Sequence, residues 1–159
     1  MLKAQNTLKN SDSKVQKSIV IKNSATVGLG EAVQISSGFV QRAGTTGAIF
    51  GVVSAIVDER GLPVTLTSNA YAAASDNQTV GKVKAVVNVS SDDIYSAALD
   101  AAVGTTTGSN LLGAKFNLMA DAKTLDESTV GTPGEQFISL GLDPADSSRV
   151  LVKILSSVL

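Results

Sequence analysis

Ala32-Val33-Gln34-Ile35 runs into Ser36-Ser37-Gly38, and Phe39-Val40-Gln41-Arg42 follows. Two short runs of β-branched and aromatic residues flank a small polar connection. That pattern predicts an antiparallel hairpin, with Gly38 supplying the positive φ that L-residues resist. The same punctuation continues on both sides. Ile49-Phe50-Gly51-Val52-Val53-Ser54-Ala55-Ile56-Val57 is the most apolar stretch, too short to span a bilayer and too β-branched for helix, so it reads as a buried strand. Asp58-Glu59-Arg60-Gly61 is a polar turn, and Val64-Thr65-Leu66-Thr67 follows it. Upstream, Ser18-Ile19-Val20-Ile21-Lys22 is the first strand signal.

Further along, Ser68 to Thr79 reads as loop, although Tyr71-Ala72-Ala73-Ala74 would serve for one helical turn. Val80 to Val89 reads as a strand with Lys82 and Lys84 on one face and Val83, Ala85 and Val87 on the other. Asp92 to Val103 supports two readings. Ser91 caps a helix of alanines, or a period of two puts Tyr95, Ala97, Leu99, Ala101 and Val103 on one strand face; the strand is preferred because its neighbours are strands. Gly104 to Asn110 is loop, Lys115-Phe116-Asn117-Leu118 a strand, and Ala120 to Gln136 a long surface loop. Phe137 to Leu142 and Val150 to Leu155 close the chain as an antiparallel pair around the turn Asp143-Pro144-Ala145-Asp146-Ser147-Ser148. Roughly nine or ten short strands with turn signals between them predict an all-β fold, a small barrel or sandwich of short antiparallel strands. No exact sequence repeat is visible.

At 159 residues the chain is long enough to build a core without staples. It contains no cysteine, no histidine and no tryptophan. These absences remove disulfides, thiolate metal sites, Ser-His-Asp and Cys-His nucleophile systems and imidazole acid–base chemistry. Carboxylate, lysine and tyrosine chemistry remain. Val27-Gly28-Leu29-Gly30-Glu31 holds a GxG, but a dinucleotide fingerprint needs a third glycine and a helix, and position 33 is Val with strand residues after it. A glycine turn between strands explains it. Asp92-Asp93 and Asp121, Asp126 and Glu127 lack the series of oxygen ligands and the glycine of a calcium loop, and read as solvated turns. No metal or other cofactor is expected, and the chain is expected not to be an enzyme.

Charge is distributed unevenly. Met1 to Lys22 holds Lys3, Lys9, Lys14, Lys17 and Lys22 against Asp12 alone, a net of +4. The remainder holds eight basic and thirteen acidic residues, a net of −5. Residues 1–16 are rich in Asn, Ser, Gln and Lys and read as a flexible basic N-terminal arm, with the β-rich domain at 17–159. Such an arm suits an acidic surface, or is a solvated, disordered leader. Direct nucleic-acid binding is not expected, because the arm has neither Arg nor an aromatic residue and the body repels phosphate. No apolar run is long enough to span a membrane, and no apolar stretch follows the N-terminal charges, so neither a membrane partner nor a secretory leader is expected.

Three stretches carry a likeness to a known family. They are Gly30-Glu31-Ala32-Val33-Gln34-Ile35 through Phe39-Val40-Gln41-Arg42-Ala43 to Ile49-Phe50-Gly51-Val52-Val53; Ile94-Tyr95-Ser96-Ala97-Ala98 through Val103-Gly104-Thr105-Thr106 to Ser109-Asn110-Leu111-Leu112-Gly113-Ala114-Lys115-Phe116; and Phe137-Ile138-Ser139-Leu140-Gly141-Leu142-Asp143-Pro144 to Ser148-Arg149-Val150-Leu151-Val152. From about Lys17 to Leu159 the chain resembles the head decoration (cement, or auxiliary capsid) proteins of tailed bacteriophages. The resemblance implies a structural protein of the virion, made in the host cytoplasm, that binds the outer surface of an assembled capsid and stabilises it. It implies the major capsid protein as partner and self-association as a homotrimer, with no catalytic residues. It also implies that a terminal arm lies along capsid subunits, which makes Lys3, Lys9 and Lys14 the expected capsid contacts. The alternative is a β-sandwich adhesin or carbohydrate-binding module of a phage fibre or tail, which predicts a concave face presenting Tyr71 or Tyr95, or an acidic calcium site.

Overall fold

A computed structural model describes residues 3–5, 15–90, 92–101, 111–129 and 136–155. The fold is all-β, and its strands close into two rings. The first ring uses β2 (Gln16–Val20), β4 (Ala32–Ser36), β5 (Phe39–Arg42), β6 (Gly51–Val57) and β8 (Lys84–Asn88), in the order β2-β8-β6-β4-β5. Ile21, just past β2, forms a parallel bridge to Val40 of β5, and the Lys22 amide donates to the Val40 carbonyl at 2.8 Å. That contact closes the ring. The second ring uses β9 (Ile94–Leu99), β10 (Lys115–Leu118), β11 (Thr124–Asp126), β12 (Phe137–Asp143) and β13 (Asp146–Ile154). Its order is β9-β11-β10-β12-β13, and β13 returns to pair with β9.

The two barrels share one topology. Numbered by chain order within each ring, the strands run first-fifth-fourth-second-third and back to the first. Every junction is antiparallel except the one between first and third, which is parallel in both. The local bonding repeats too. The Phe50 amide donates to the Val33 carbonyl in the first barrel, as the Gln136 amide donates to the Phe116 carbonyl in the second. In sequence the likeness is confined to pattern: Gly30-Glu31-Ala32-Val33-Gln34-Ile35 and Gly113-Ala114-Lys115-Phe116-Asn117-Leu118 share the leading glycine and apolar residues at alternate positions.

Alternation builds each core. Val33, Val40, Val53, Ile56, Ala85 and Val87 fill the first barrel; Tyr95, Ala97, Phe116, Leu118, Leu125, Phe137, Val150 and Val152 fill the second. Ala32, Ala43, Ile49 and Val52 come from the first barrel but pack into the second core. The starts of β4 (Ala32, Val33) and β6 (Gly51, Val52, Val53) are thus buried on both faces, which fits the apolar character of the run from Ile49. Gly51 sits where a Cβ would collide with the Asn88 carbonyl oxygen and a Val87 methyl, so only glycine lets β6 and β8 approach this closely. The Ser37-Gly38 hairpin forms as expected, with φ of 53° and 84° at its two central residues.

Four local expectations change. Ser68 to Thr79 contains β7 (Ala70–Ala72), which pairs with β3 (Thr26–Gly28) in a separate ribbon. Ala120 to Gln136 contains β11 and a 3-10 turn, Glu127–Thr129. Both strands are three residues long; β7 gains order from the distant β3, and β11 from the distant β9 as well as from the preceding β10, contacts that local propensity does not show. Val64 to Thr67 makes no ladder and is flanked by single bridges, Val57 to Pro63 and Thr67 to Ala70. Val80 to Lys82 turns rather than extends, because Gly81 and Lys82 both take left-handed φ, 74° and 42°. The buried Asn77 side chain takes the place of a strand there, donating to the Ile21 and Val83 carbonyls and accepting from the Val83 amide at 3.0 Å.

Of the stretch read as an arm, Lys3–Gln5 forms strand β1, which pairs antiparallel with β9. Gly104 to Asn110 lies outside the described residues.

Candidate interaction surfaces

The seam between the barrels concentrates buried polar chemistry. Glu31, which ends the GxG turn, is 1% exposed. Its carboxylate accepts from the Gly28 amide at 2.8 Å and from Arg42 through Nε at 3.0 Å and Nη2 at 2.7 Å. Lys123 Nζ reaches it from the second barrel at 3.6 Å. A Cβ on Gly28 would press on this carboxylate, so the glycine leaves room for the ion cluster. Nearby, Gln136 is fully buried. Its Nε2 donates to the Gly44 and Gly47 carbonyls at 3.1 and 3.0 Å, and its Oε1 accepts from the Leu118 amide at 2.8 Å. The Ala32 amide donates to the Ala122 carbonyl at 2.8 Å across the same seam. These groups satisfy one another completely, which fits a welded joint between barrels.

A second polar cluster lies on the wall of the second barrel. The Ser96 hydroxyl donates to Asp143 at 2.6 Å and accepts from Arg149 Nε at 2.8 Å. The bond from Ser96 and another from the Ala145 amide hold the Asp143 carboxyl below the ordinary carboxylate range. At Asp121 burial works to raise the pKa. Bonds from the Thr124 hydroxyl and from the Lys123 and Thr124 amides outweigh it, and the net shift is downward. Both carboxylates brace turns. Among the described residues no three acidic side chains gather to hold a metal ion.

The two tyrosines have different fates. Tyr95 is fully buried, and burial, with Asp93 close by, pushes its phenol above the ordinary range. It therefore cannot serve as an exposed sugar platform. Tyr71 is half-buried and lines a shallow groove of about 380 Å³ together with Thr26, Thr65, Thr67, Ala70 and Ala72.

The N-terminal strand defines a third surface. Lys3 pairs with Ser96, Ala4 with Tyr95 and Gln5 with Ile94. β13 pairs with β9 over Tyr95 to Ala98, and β11 with β9 at Ala98 and Leu99. Residues 95 and 96 thus have β13 on one edge and β1 on the other, and β1 continues the edge that β11 occupies further along. Of the three lysines expected to contact a partner, Lys3 is placed in this strand, whereas Lys9 and Lys14 lie outside the described residues. Glu31, Gln136 and Ser96 gave no functional signal in sequence; the nearest hint was the GxG before Glu31.

No protein-family model, no curated protein and no solved structure gives a match to this chain.

Proposed function

We propose that the chain is a non-enzymatic structural protein that binds the outer surface of an assembled bacteriophage capsid and stabilises it. The observation that carries this reading is β1: residues of the basic N-terminal stretch extend an edge of the chain's own β9, so the segment has a pattern suited to strand addition. Strand addition is a general way for a terminal segment to grip a partner, because main-chain bonds supply affinity without a pocket. The rest of the architecture suits the same task. Closed barrels leave few strand edges to mispair, and the sealed seam makes the body a rigid unit. The partner on this reading is the major capsid protein. A homotrimer on a symmetric shell multiplies modest contacts by linkage, so no single contact needs to be tight.

Bare, expanded shells of the encoding phage, incubated with the purified chain, are expected to co-sediment with it up to a fixed occupancy. Removing residues 1–14 should lower the apparent affinity at least about tenfold, since the linked contact is lost. Equal occupancy with and without those residues would remove the N-terminal stretch from the mechanism. A second reading, a glycan-binding module, is favoured by the Tyr71 groove with its three threonine hydroxyls. A glycan array that lights up for the wild type and goes dark for Tyr71→Ala would establish it; a silent array removes it.

A further inference from the structure

The duplicated topology exposes a difference between equivalent edges. In the second barrel the first strand, β9, is covered on one edge by β13, and on the other by β11 and then β1. In the first barrel the equivalent strand, β2, is covered by β8 along Gln16 to Val20 on one edge. On the other, β5 reaches it only at the C-terminal end, where Val40 bridges Ile21 between Val20 and Lys22. Among the described residues no strand pairs with that edge from Gln16 to Ile19. Exposure follows the difference: Gln16, Lys17 and Ser18 are exposed, whereas Tyr95 and Ser96 under β1 are buried.

The backbone groups facing this edge follow from alternation. The Ile21 amide donates to Val83 beyond β8, and the Lys22 amide donates to Val40 on the other side. Bonding direction alternates along an antiparallel strand. Gln16 and Ser18 therefore turn their amides and carbonyls toward the open edge, and Val20 turns its amide there while its carbonyl meets β5 at the Val40 bridge; Lys17 and Ile19 bond to β8.

We infer that this edge of β2 is a strand-acceptor site, occupied by an extended segment of a partner protein with neutral to acidic side chains. The sister barrel shows what such an edge takes, namely an added antiparallel strand. Charge selects the occupant. The edge lies in the most basic part of the chain, beside exposed Lys17 and near Lys22, with Lys14 just before it in sequence. The chain's own N-terminal segment carries Lys3 and Lys9, so pairing with a second copy opposes like charges. The inference deepens the proposed capsid role by naming where a shell subunit would add a strand, and it rests on that role only for the partner's identity.

Amide hydrogen exchange of the full chain tests the site. In the free protein the Ser18 and Val20 amides should exchange at least about tenfold faster than those of Lys17 and Ile19. A decapeptide of alternating Thr and Val carrying two Glu, at millimolar concentration, should slow both. The same peptide with two Lys should not. Ser18→Pro removes one edge-facing donor without touching the β8 ladder and should abolish the effect. Lys17→Glu should reverse the preference between peptides, which tests the site even if the proline variant folds poorly. Protection in the free chain at every concentration would mean the edge is already covered, and would overturn the inference. Protection that grows with protein concentration would place a second copy there and overturn the choice of partner. Equal effects of both peptides, or of neither, would also overturn it. Shells that bind wild type and Ser18→Pro alike, with Ser18 and Val20 still unprotected, would remove the site and leave the capsid role intact. Peptide protection without shell binding would do the reverse.

Discussion

Gln136 is the most informative single residue to remove. Its side chain bonds three backbone groups that belong to both barrels. Gln136→Met keeps most of the volume and none of the bonds, so packing and hydrogen bonding are separated. The Leu118 amide is deeply buried and would be left unpaired, at a cost of about 1–3 kcal/mol. The Gly44 and Gly47 carbonyls lie closer to solvent and can be rehydrated, so each loses only a net hydrogen bond of about 0.5–1.5 kcal/mol. The sum is about 2–6 kcal/mol, a large part of the ~5–15 kcal/mol that holds a typical domain together. For a chain of this size it corresponds to a fall in Tm on the order of 10 °C. Urea unfolding followed by near-UV and far-UV signals reads it directly. Amide exchange should also rise locally in the loop around Gly44 to Gly47. A variant within 0.5 kcal/mol of wild type (about the noise of such a comparison) would show that packing of Ala32, Ala43, Ile49 and Val52 holds the seam and that the polar staple does not.

Three further outcomes are expected. Gly51→Ala drives a methyl into the Asn88 carbonyl and should destabilise by about 1–3 kcal/mol or more; a neutral variant in thermal melts would mean β6 and β8 are less tightly apposed. The folded state holds Asp121 and Asp143 below their unfolded pKa, so it binds fewer protons there in acid. Their stabilisation is present above the ordinary carboxylate range and lost as pH falls through the depressed folded values. Unfolding midpoints should drop across that acid window, and the drop should shrink in Asp121→Asn; an unchanged slope would count against it. Tyr95 is shifted the other way, so the unfolded chain ionises first in base. Its stabilising effect is complete below the ordinary phenol pKa and disappears as pH rises above it. Phenolate absorbance from Tyr95 should appear together with loss of fold, and early ionisation in a folded chain would contradict its burial.

Sequence carried the fold where strands are paired by local turns. The Ser37-Gly38 hairpin and the closing β12–β13 pair follow from turn residues and period-two patterning. So does the strand reading of β9, where Tyr95 and Ala97 face the core. It failed where order is supplied from afar. β7 and β11 are only three residues long, and they exist because β3, β9 and β10 hold them. The shared topology of the two barrels was not legible, because it constrains only where apolar side chains recur, and aliphatic residues exchange freely in small cores. Glu31 looked like part of a glycine turn because its partners, Arg42 and Lys123, are distant in the chain. The open edge of β2 was equally hidden, since an unpaired strand and a paired one share the same alternation.

The proposed capsid role has its most direct test in an image. On that reading, cryo-EM of bare tailed-phage shells, with the purified chain added in excess, should show two-barrel density on the outer surface at symmetry-equivalent positions. Those shells should also withstand heating or chelation that ruptures undecorated ones. Shells that stay bare at saturating protein, or density confined to a fibre or tail, would contradict the account.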